Sequence, residues 1–224
     1  MTQTTACGLV TVWLHVPPQH EEEFNAWYEL EHIDQVIDIP GFVCARRYAA
    51  DQQVPKYLAW YEAVDEHVEP GAGFARLVQQ PTAWSLRIRG FYGENRFRNN
   101  YRLISEFGAT PQPDAPWLYV VETDCADPAR EAEFADWYDN EHLPALARVD
   151  GVLRARRYHA VSGAPRSLCA IELASRDVFE SPAWLAARAT PRTPAMRALY
   201  ANTRRAMYRL VMPTRVPRPS TPTS

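Results

Sequence analysis

The sequence predicts an α+β protein made of two copies of one β-α-β-β-α-β unit, and three observations carry this. Phe24-Asn25-Ala26-Trp27-Tyr28-Glu29-Leu30-Glu31-His32 returns 110 positions later as Phe134-Ala135-Asp136-Trp137-Tyr138-Asp139-Asn140-Glu141-His142. A second shared block, Pro40 to Tyr48, returns as Asp150 to Tyr158 at the same offset, and Leu58, Glu62 and Pro81 find Leu168, Glu172 and Pro191. Both copies show apolar runs of strand and helix period in the same order. A period of this length is too long for a solenoid and right for a small domain.

In copy one, Leu9 to Val16 is a β-rich run closed by Pro17-Pro18, and Glu21 to Val36 has helical period. Gly41 restarts the chain as a strand to Tyr48. Asp51 to Pro55 reads as a hairpin loop into a strand over Tyr57–Glu62. Helical pattern follows at Gly73–Val78 and Ala83–Arg89, then a strand at Tyr101–Ile104. Copy two gives strands at Trp117–Glu122, Val152–Tyr158, Leu168–Leu173 and Tyr208–Val211. Its helices fall at Glu131–Ala147, Ala183–Ala189 and Ala195–Arg204. The expected division is 1–107 and 117–213, joined by a proline-bearing linker at 108–116, with a Pro/Ser/Thr-rich disordered tail over 214–224.

This order is the ferredoxin-like split βαβ arrangement. Helices cover one face of its sheet, so the other face is expected to be apolar and to need a cover. Two such units packed sheet to sheet would close an intramolecular α+β barrel. The monomer would then be self-sufficient, while a homodimer stays compatible with the sequence.

Composition narrows the function classes. The 224 residues are 46% apolar, enough for a sizeable core, and 24 basic against 27 acidic side chains leave a formal charge of −3. No Lys/Arg run tracks phosphates, so nucleic acid is not an expected partner. No apolar run reaches 18 residues and the first six residues lack a basic, apolar leader, so neither a membrane span nor a secretory signal is expected. The cysteines (Cys7, Cys44, Cys125, Cys169) lack Cys-x-x-Cys spacing, which suits a reducing cytoplasm. No metal-ligand spacing is present.

The chemistry sits on the first helix of each copy. At about 100° per residue, Phe24, Trp27 and Tyr28 define a buried face, as do Phe134, Trp137 and Tyr138. Glu31 and Glu141 then fall inside that face, and His32 and His142 at its edge. A carboxylate among aromatics is costly unless paired or neutral. The structural reading pairs each glutamate with an arginine of the next strand, Arg46 or Arg47 and Arg156 or Arg157. Strand alternation lets only one arginine of each pair meet the helix. On that reading the histidines are edge residues and the aromatics are core.

The motif Trp-Tyr-x-x-Glu-His, followed by Gly-hydrophobic-x-x-Ala-Arg-Arg-Tyr, resembles the dimeric α+β barrel superfamily, with EthD-like and muconolactone-isomerase-like proteins nearest in pattern. The resemblance covers residues 8–105 and 116–212. It departs at Asp34, where copy two has Pro144, and at Asp150, where copy one has Pro40. It implies a small-molecule enzyme without metal or organic cofactor, an isomerase, cyclase or lyase. His32 or His142 would be acid and base, near neutral in pKa. Glu31 or Glu141 would orient the imidazole or act as an acid with raised pKa. Trp27, Tyr28, Trp137, Tyr138, Arg46, Arg47, Arg156 and Arg157 would bind substrate. His15, Trp13, Trp60 and His67 of copy one correspond to Cys125, Thr123, Ala170 and Asp177 of copy two at the same offset, so copy one would have the more aromatic pocket and copy two the roomier one. The alternatives are a cofactor-free monooxygenase, a haem-binding enzyme with a histidine ligand, and a non-catalytic ligand-binding or stress-response module.

Overall fold

The computed structural model describes residues 6–50, 55–68, 71–108 and 114–218. The predicted loop at 51–54, the centre of the linker at 109–113 and the tail at 219–224 lie outside the described residues. The eight strands hydrogen-bond in the order β1-β3-β2-β8-β5-β7-β6-β4, a closed antiparallel barrel. The chain divides into two compact units, residues 1–100 with 211–224, and residues 101–210.

Unit one contains β1 (Gly8–Leu14), β2 (Phe42–Ala49) and β3 (Tyr57–Ala63), with the start of β4 (Arg96–Gly108) and the end of β8 (Tyr200–Arg215). β1 and β2 both pair antiparallel with β3. The first helix runs as α1 (Glu21–Trp27), one π-helical turn (Tyr28–His32) and α2 (Ile33–Ile37). Phe24, Trp27, Tyr28, Ile33, Val36 and Ile37 lie in the core cluster that this helix shares with the sheet. Gly41 follows at φ +104°, where a Cβ would meet Val68, so glycine is required to turn the chain into β2. α3 (Ala72–Gln79) and α4 (Ala83–Tyr92) complete the unit, α4 being capped by Thr82, whose hydroxyl accepts from the Ser85 N–H.

Unit two contains β5 (Trp117–Cys125), β6 (Val152–Ala160) and β7 (Ser167–Leu173), with the rest of β4 and β8. β5 and β6 both pair with β7, β4 pairs with β6, and β8 with β5. Its first helix is α5 (Glu131–Trp137), a π turn (Tyr138–His142) and α6 (Leu143–Ala147). The shorter α7 (Pro182–Ala187) and α8 (Thr193–Arg197) follow.

Two expectations fail here. The helix predicted over Ala195–Arg204 stops at Arg197, and Tyr200 begins a 16-residue strand. The strand pattern is broken at Asn202, which adopts φ +51° where the β5–β8 register shifts, and this bulge hid the alternation. Thr214 and Arg215, placed in the tail by the sequence, end that strand, and Arg218 beyond it pairs with Asp38.

The sheet face turned away from the helices is not wholly apolar: beside Trp13, Leu58, Trp60 and Leu168 it carries buried charges. In unit one the buried Arg46 donates to Glu62 at 2.9 Å and to Thr214 at 2.7 Å, while Trp60 Nε1 donates to Glu62 at 3.2 Å. In unit two Glu172 accepts two hydrogen bonds from Arg154 and one, at 2.7 Å, from Arg156. Glu122 accepts from Arg204 and Tyr101. Buried charges persist only when paired and hydrogen-bonded, and the repeated Glu62 and Glu172 supply that pairing. Removing one partner costs about 3–5 kcal/mol. Glu172→Gln should therefore lower the unfolding free energy by about that amount, read from the urea midpoint at pH 7. A loss under about 1 kcal/mol would show the pairs to be dispensable.

Candidate functional site: a π turn in each first helix

The repeated Trp-Tyr-x-x-Glu-His motif forms a π turn in both units, Tyr28–His32 and Tyr138–His142. One turn holds an extra residue, a geometry frequent at functional sites. The extra residue swings the histidine beneath the tryptophan five positions earlier. Trp27 and His32 stack with ring centroids 4.1 Å apart at 15°, and Trp137 and His142 at 4.4 Å and 18°.

This reverses the α-helical expectation. The imidazoles are the enclosed groups, and each Nδ1 is buried without a hydrogen-bond partner. The glutamates sit nearer the surface and tie the first helix to the later helical region. Glu31 accepts from Trp27 Nε1 at 3.1 Å, Ser85 Oγ at 3.1 Å and Thr82 Oγ1 at 2.6 Å, at the start of α4. Glu141 accepts from the Arg192 N–H at 3.1 Å, while Trp137 Nε1 donates to Thr190 at 3.2 Å. A hydrogen bond from Thr190 holds the Glu141 carboxyl below its usual range, so it is not an acid of raised pKa.

Nor do the imidazoles titrate near neutrality. Burial, with Arg47 nearby, lowers His32 to about 3. Burial, with Arg197 and Arg188, lowers His142 to about 4. Both are neutral at physiological pH, poised to accept a proton only when a substrate supplies compensating charge.

The arginines of the second strands separate as alternation requires. Arg46 and Arg156 point away from the helix into the Glu62 and Glu172 pairs. Arg47 lies 3.9 Å from the Tyr28 ring centroid and donates to Asn25, and Arg157 pairs with Asp139 at 2.8 Å. Neither reaches the glutamates, so the expected Glu–Arg locks do not form.

A cavity lies beneath each π turn. That of unit one, about 70 Å³, is lined by Trp27, Tyr28 and His32, with Tyr61, Arg89 and Arg96 among the further residues. That of unit two, about 110 Å³, is lined by Tyr138 and His142, with Tyr119, Tyr200 and Cys169, and three arginines, Arg188, Arg197 and Arg205. Apolar walls come from Leu143, Ile171, Phe179 and Trp184. Tyr138 and Tyr200 are hydrogen-bonded through their hydroxyls, and burial pushes the Tyr200 phenol up to about 12. Arg188 and Arg197 have no acidic partner among the described residues.

His15, Trp13 and Trp60 do not line the cavities, and His67 is exposed. The physical reason is register. Tyr61 and Ile171, 110 apart, face Val10 and Tyr119, which are 109 apart. One residue of offset flips every side chain of a strand, so the counterpart of Trp13 is Glu122, not Thr123. Trp60 shares the face of Glu62, away from the helix. Unit two is the roomier, as the sequence suggested, but Ile171 in place of Tyr61 is among the residues responsible. The cavity arginines were missed altogether. Their signal was weak: Arg89 lies on α4, Arg96 and Arg98 alternate on a strand, and those of unit two lie scattered over residues 188–205.

No family model and no curated protein matches the chain. Solved structures do. An anthrone oxidase-like protein superposes with a TM-score of 0.66 at 13% identity, over 94% of this chain and 92% of that one. A candidate monooxygenase of Fusobacterium nucleatum gives 0.62 at 11%, over 93% and 94%. A candidate chlorite dismutase gives 0.57 at 12%, over 92% and 96%. The likeness is one of fold. Among the described residues, no helix is long and apolar enough to cross a membrane and no three His, Cys, Asp or Glu side chains cluster as metal ligands.

The depressed imidazoles fix a pH dependence. Unfolded, each histidine takes its proton near pH 6.5; folded, His142 does so only near 4. The unfolded chain binds more protons in that window, so stability falls as pH drops from about 6.5 towards 4. The stability difference between the wild type and His142→Gln should shrink over that range in parallel denaturant titrations. Parallel profiles would mean that the folded imidazole is already charged or solvated.

Proposed function

We propose that the chain is a small-molecule enzyme of the oxygenase type, with its working site in the cavity of unit two. One observation carries this reading: a neutral, buried His142 with an unpartnered Nδ1 shares a cavity with Arg188 and Arg197, which have no acidic counter-charge among the described residues. Such a site favours removing a proton from an acidic substrate and holding the resulting anion. A cavity of about 110 Å³ is comparable with the roughly 150 Å³ that takes one benzene ring, so the substrate is a one-ring planar compound with an activated CH₂ beside a phenol or carbonyl. The 70 Å³ cavity of unit one is too tight for the same ring and has a structural role.

His142 accepts the substrate proton on its imidazole, whose ring plane is held by stacking on Trp137. The negative charge spreads onto the substrate oxygen, facing Arg188 and Arg197. The carbanion passes its electron pair to dioxygen, the peroxide formed is protonated, and loss of water leaves a carbonyl. The balance is CH₂ + O₂ → C=O + H₂O, with no outside reductant. The fold likeness to an anthrone oxidase-like protein and to candidate monooxygenases supports dioxygen as the co-substrate. EthD-like membership and origin by tandem duplication belong to the same proposal.

A haem group does not fit these cavities. Each is far below the roughly 300–1,000 Å³ of ordinary ligand pockets, and both imidazoles lie flat against indole rings. The second reading is the proton-transfer isomerase or lyase, which uses the same His142 but needs no oxygen.

Oxygen-electrode assays on one-ring phenols and β-dicarbonyl compounds separate the two. The expected result is oxygen uptake matching carbonyl formation without added reductant, reduced by about 10²–10⁴ in His142→Gln. Turnover that proceeds unchanged without air would overturn the oxygenase in favour of the isomerase. Full turnover in His142→Gln would end both.

A further inference from the structure

A second concavity in unit two, outside the His142 cavity, is larger than either helix-one cavity, at about 560 Å³. It opens at the other end of the same helix and the same strand face. Along β5, Tyr119 and Val121 line the cavity, whereas Thr123 and Cys125 line this groove. Along β7, Ile171 and Cys169 belong to the cavity and Ser167 to the groove. Phe134 of α5 forms a wall.

The groove coincides with two substitutions to smaller residues between the copies, Ala135 for Asn25 and Ser167 for Tyr57. At the repeat spacing Ser167 corresponds to Tyr57 of unit one. There the Tyr57 ring packs against Phe24 at 5.1 Å, its hydroxyl accepts from Asn25, and Arg47 lies 5.4 Å from its centroid. The phenol fills the space. Serine in its place removes the ring and leaves a buried hydroxyl with no nitrogen or oxygen partner. The Cys169 thiol on the same strand face is only a weak partner. A buried orphan hydroxyl costs free energy unless something bonds it.

Three guanidiniums, Arg102, Arg157 and Arg166, line the groove with His159, against two carboxylates, Asp124 and Glu131. Asp124 is engaged by the Arg166 N–H at 2.6 Å and by Asn202 at 2.9 Å. Arg157 is neutralised by Asp139. The Arg102 and Arg166 guanidiniums have no acidic partner among the described residues. Apolar surface comes from Ile104, Phe134 and Pro128.

We propose that this groove is a second ligand site, which binds a small organic anion: an apolar body against Ile104 and Phe134, and a carboxylate or phosphate ester head held by Arg102 and Arg166, with the Ser167 hydroxyl bonding the ligand. It does not depend on the reaction assigned to His142.

Calorimetric titration of the full chain with octanoate, octyl phosphate and octanol tests it. Saturable binding of octanoate or octyl phosphate is expected, with octanol at least about tenfold weaker, and the stronger anion identifies the head group. Ser167→Tyr, which refills the groove as Tyr57 does, and Arg102→Ala, a change on an exposed side chain, should each weaken the anion by about tenfold or more. His142→Gln should leave it unchanged. The proposal fails if neither anion saturates, if octanol binds as well, if Ser167→Tyr and Arg102→Ala both bind like the wild type, or if His142→Gln abolishes binding.

Discussion

Each candidate site rests on an imidazole lying flat beneath an indole five residues earlier in the same helix. In a regular α-helix, positions four apart lie one above the other, and the glutamate would occupy that place. The π turn displaces the glutamate by one step and brings the histidine in. From that single extra residue follow the buried Nδ1, the lowered basicity of the ring and the release of Glu31 and Glu141 to clamp the later helices.

The inner sheet face answers a different constraint. Charged side chains there are stable because each guanidinium finds a carboxylate across neighbouring strands, Arg46 with Glu62, and Arg154 and Arg156 with Glu172. Apolar side chains would serve stability as well or better. What the ion pairs add is directionality, since Glu172 meets Arg154 and Arg156 together only in this register of β6 against β7, and a one-residue slip would turn both to the helix side.

Much of the architecture was legible in the sequence. Helix one of both units, the strands after it and the split between Arg46 and Arg47 follow from period and alternation, which depend on local chain geometry alone. The π turn was not legible, because no residue type marks it and a 100° wheel presumes regular hydrogen bonding. That presumption exchanged the roles of Glu141 and His142. The charged inner face was half visible: Glu62 and Glu172 recur at the repeat spacing, yet the arginines that meet them are read from the sequence as partners of Glu31 and Glu141. The cavity arginines of unit two were invisible because they converge from the residue after α7, from α8 and from β8, segments where the two halves differ most.

The change of spacing from 110 to 109 in the first strand has a consequence for any attempt to exchange parts between the halves. A chimera that grafts β5 onto the position of β1 residue for residue at 110 would deliver Glu122 to the slot of Val12, against the aromatic underside of the first helix. Counted at 109, the same graft places Val121 there and sends the carboxylate inward to the place held by Trp13. The two halves are interchangeable only through this missing residue, which behaves as a structural frameshift confined to one strand.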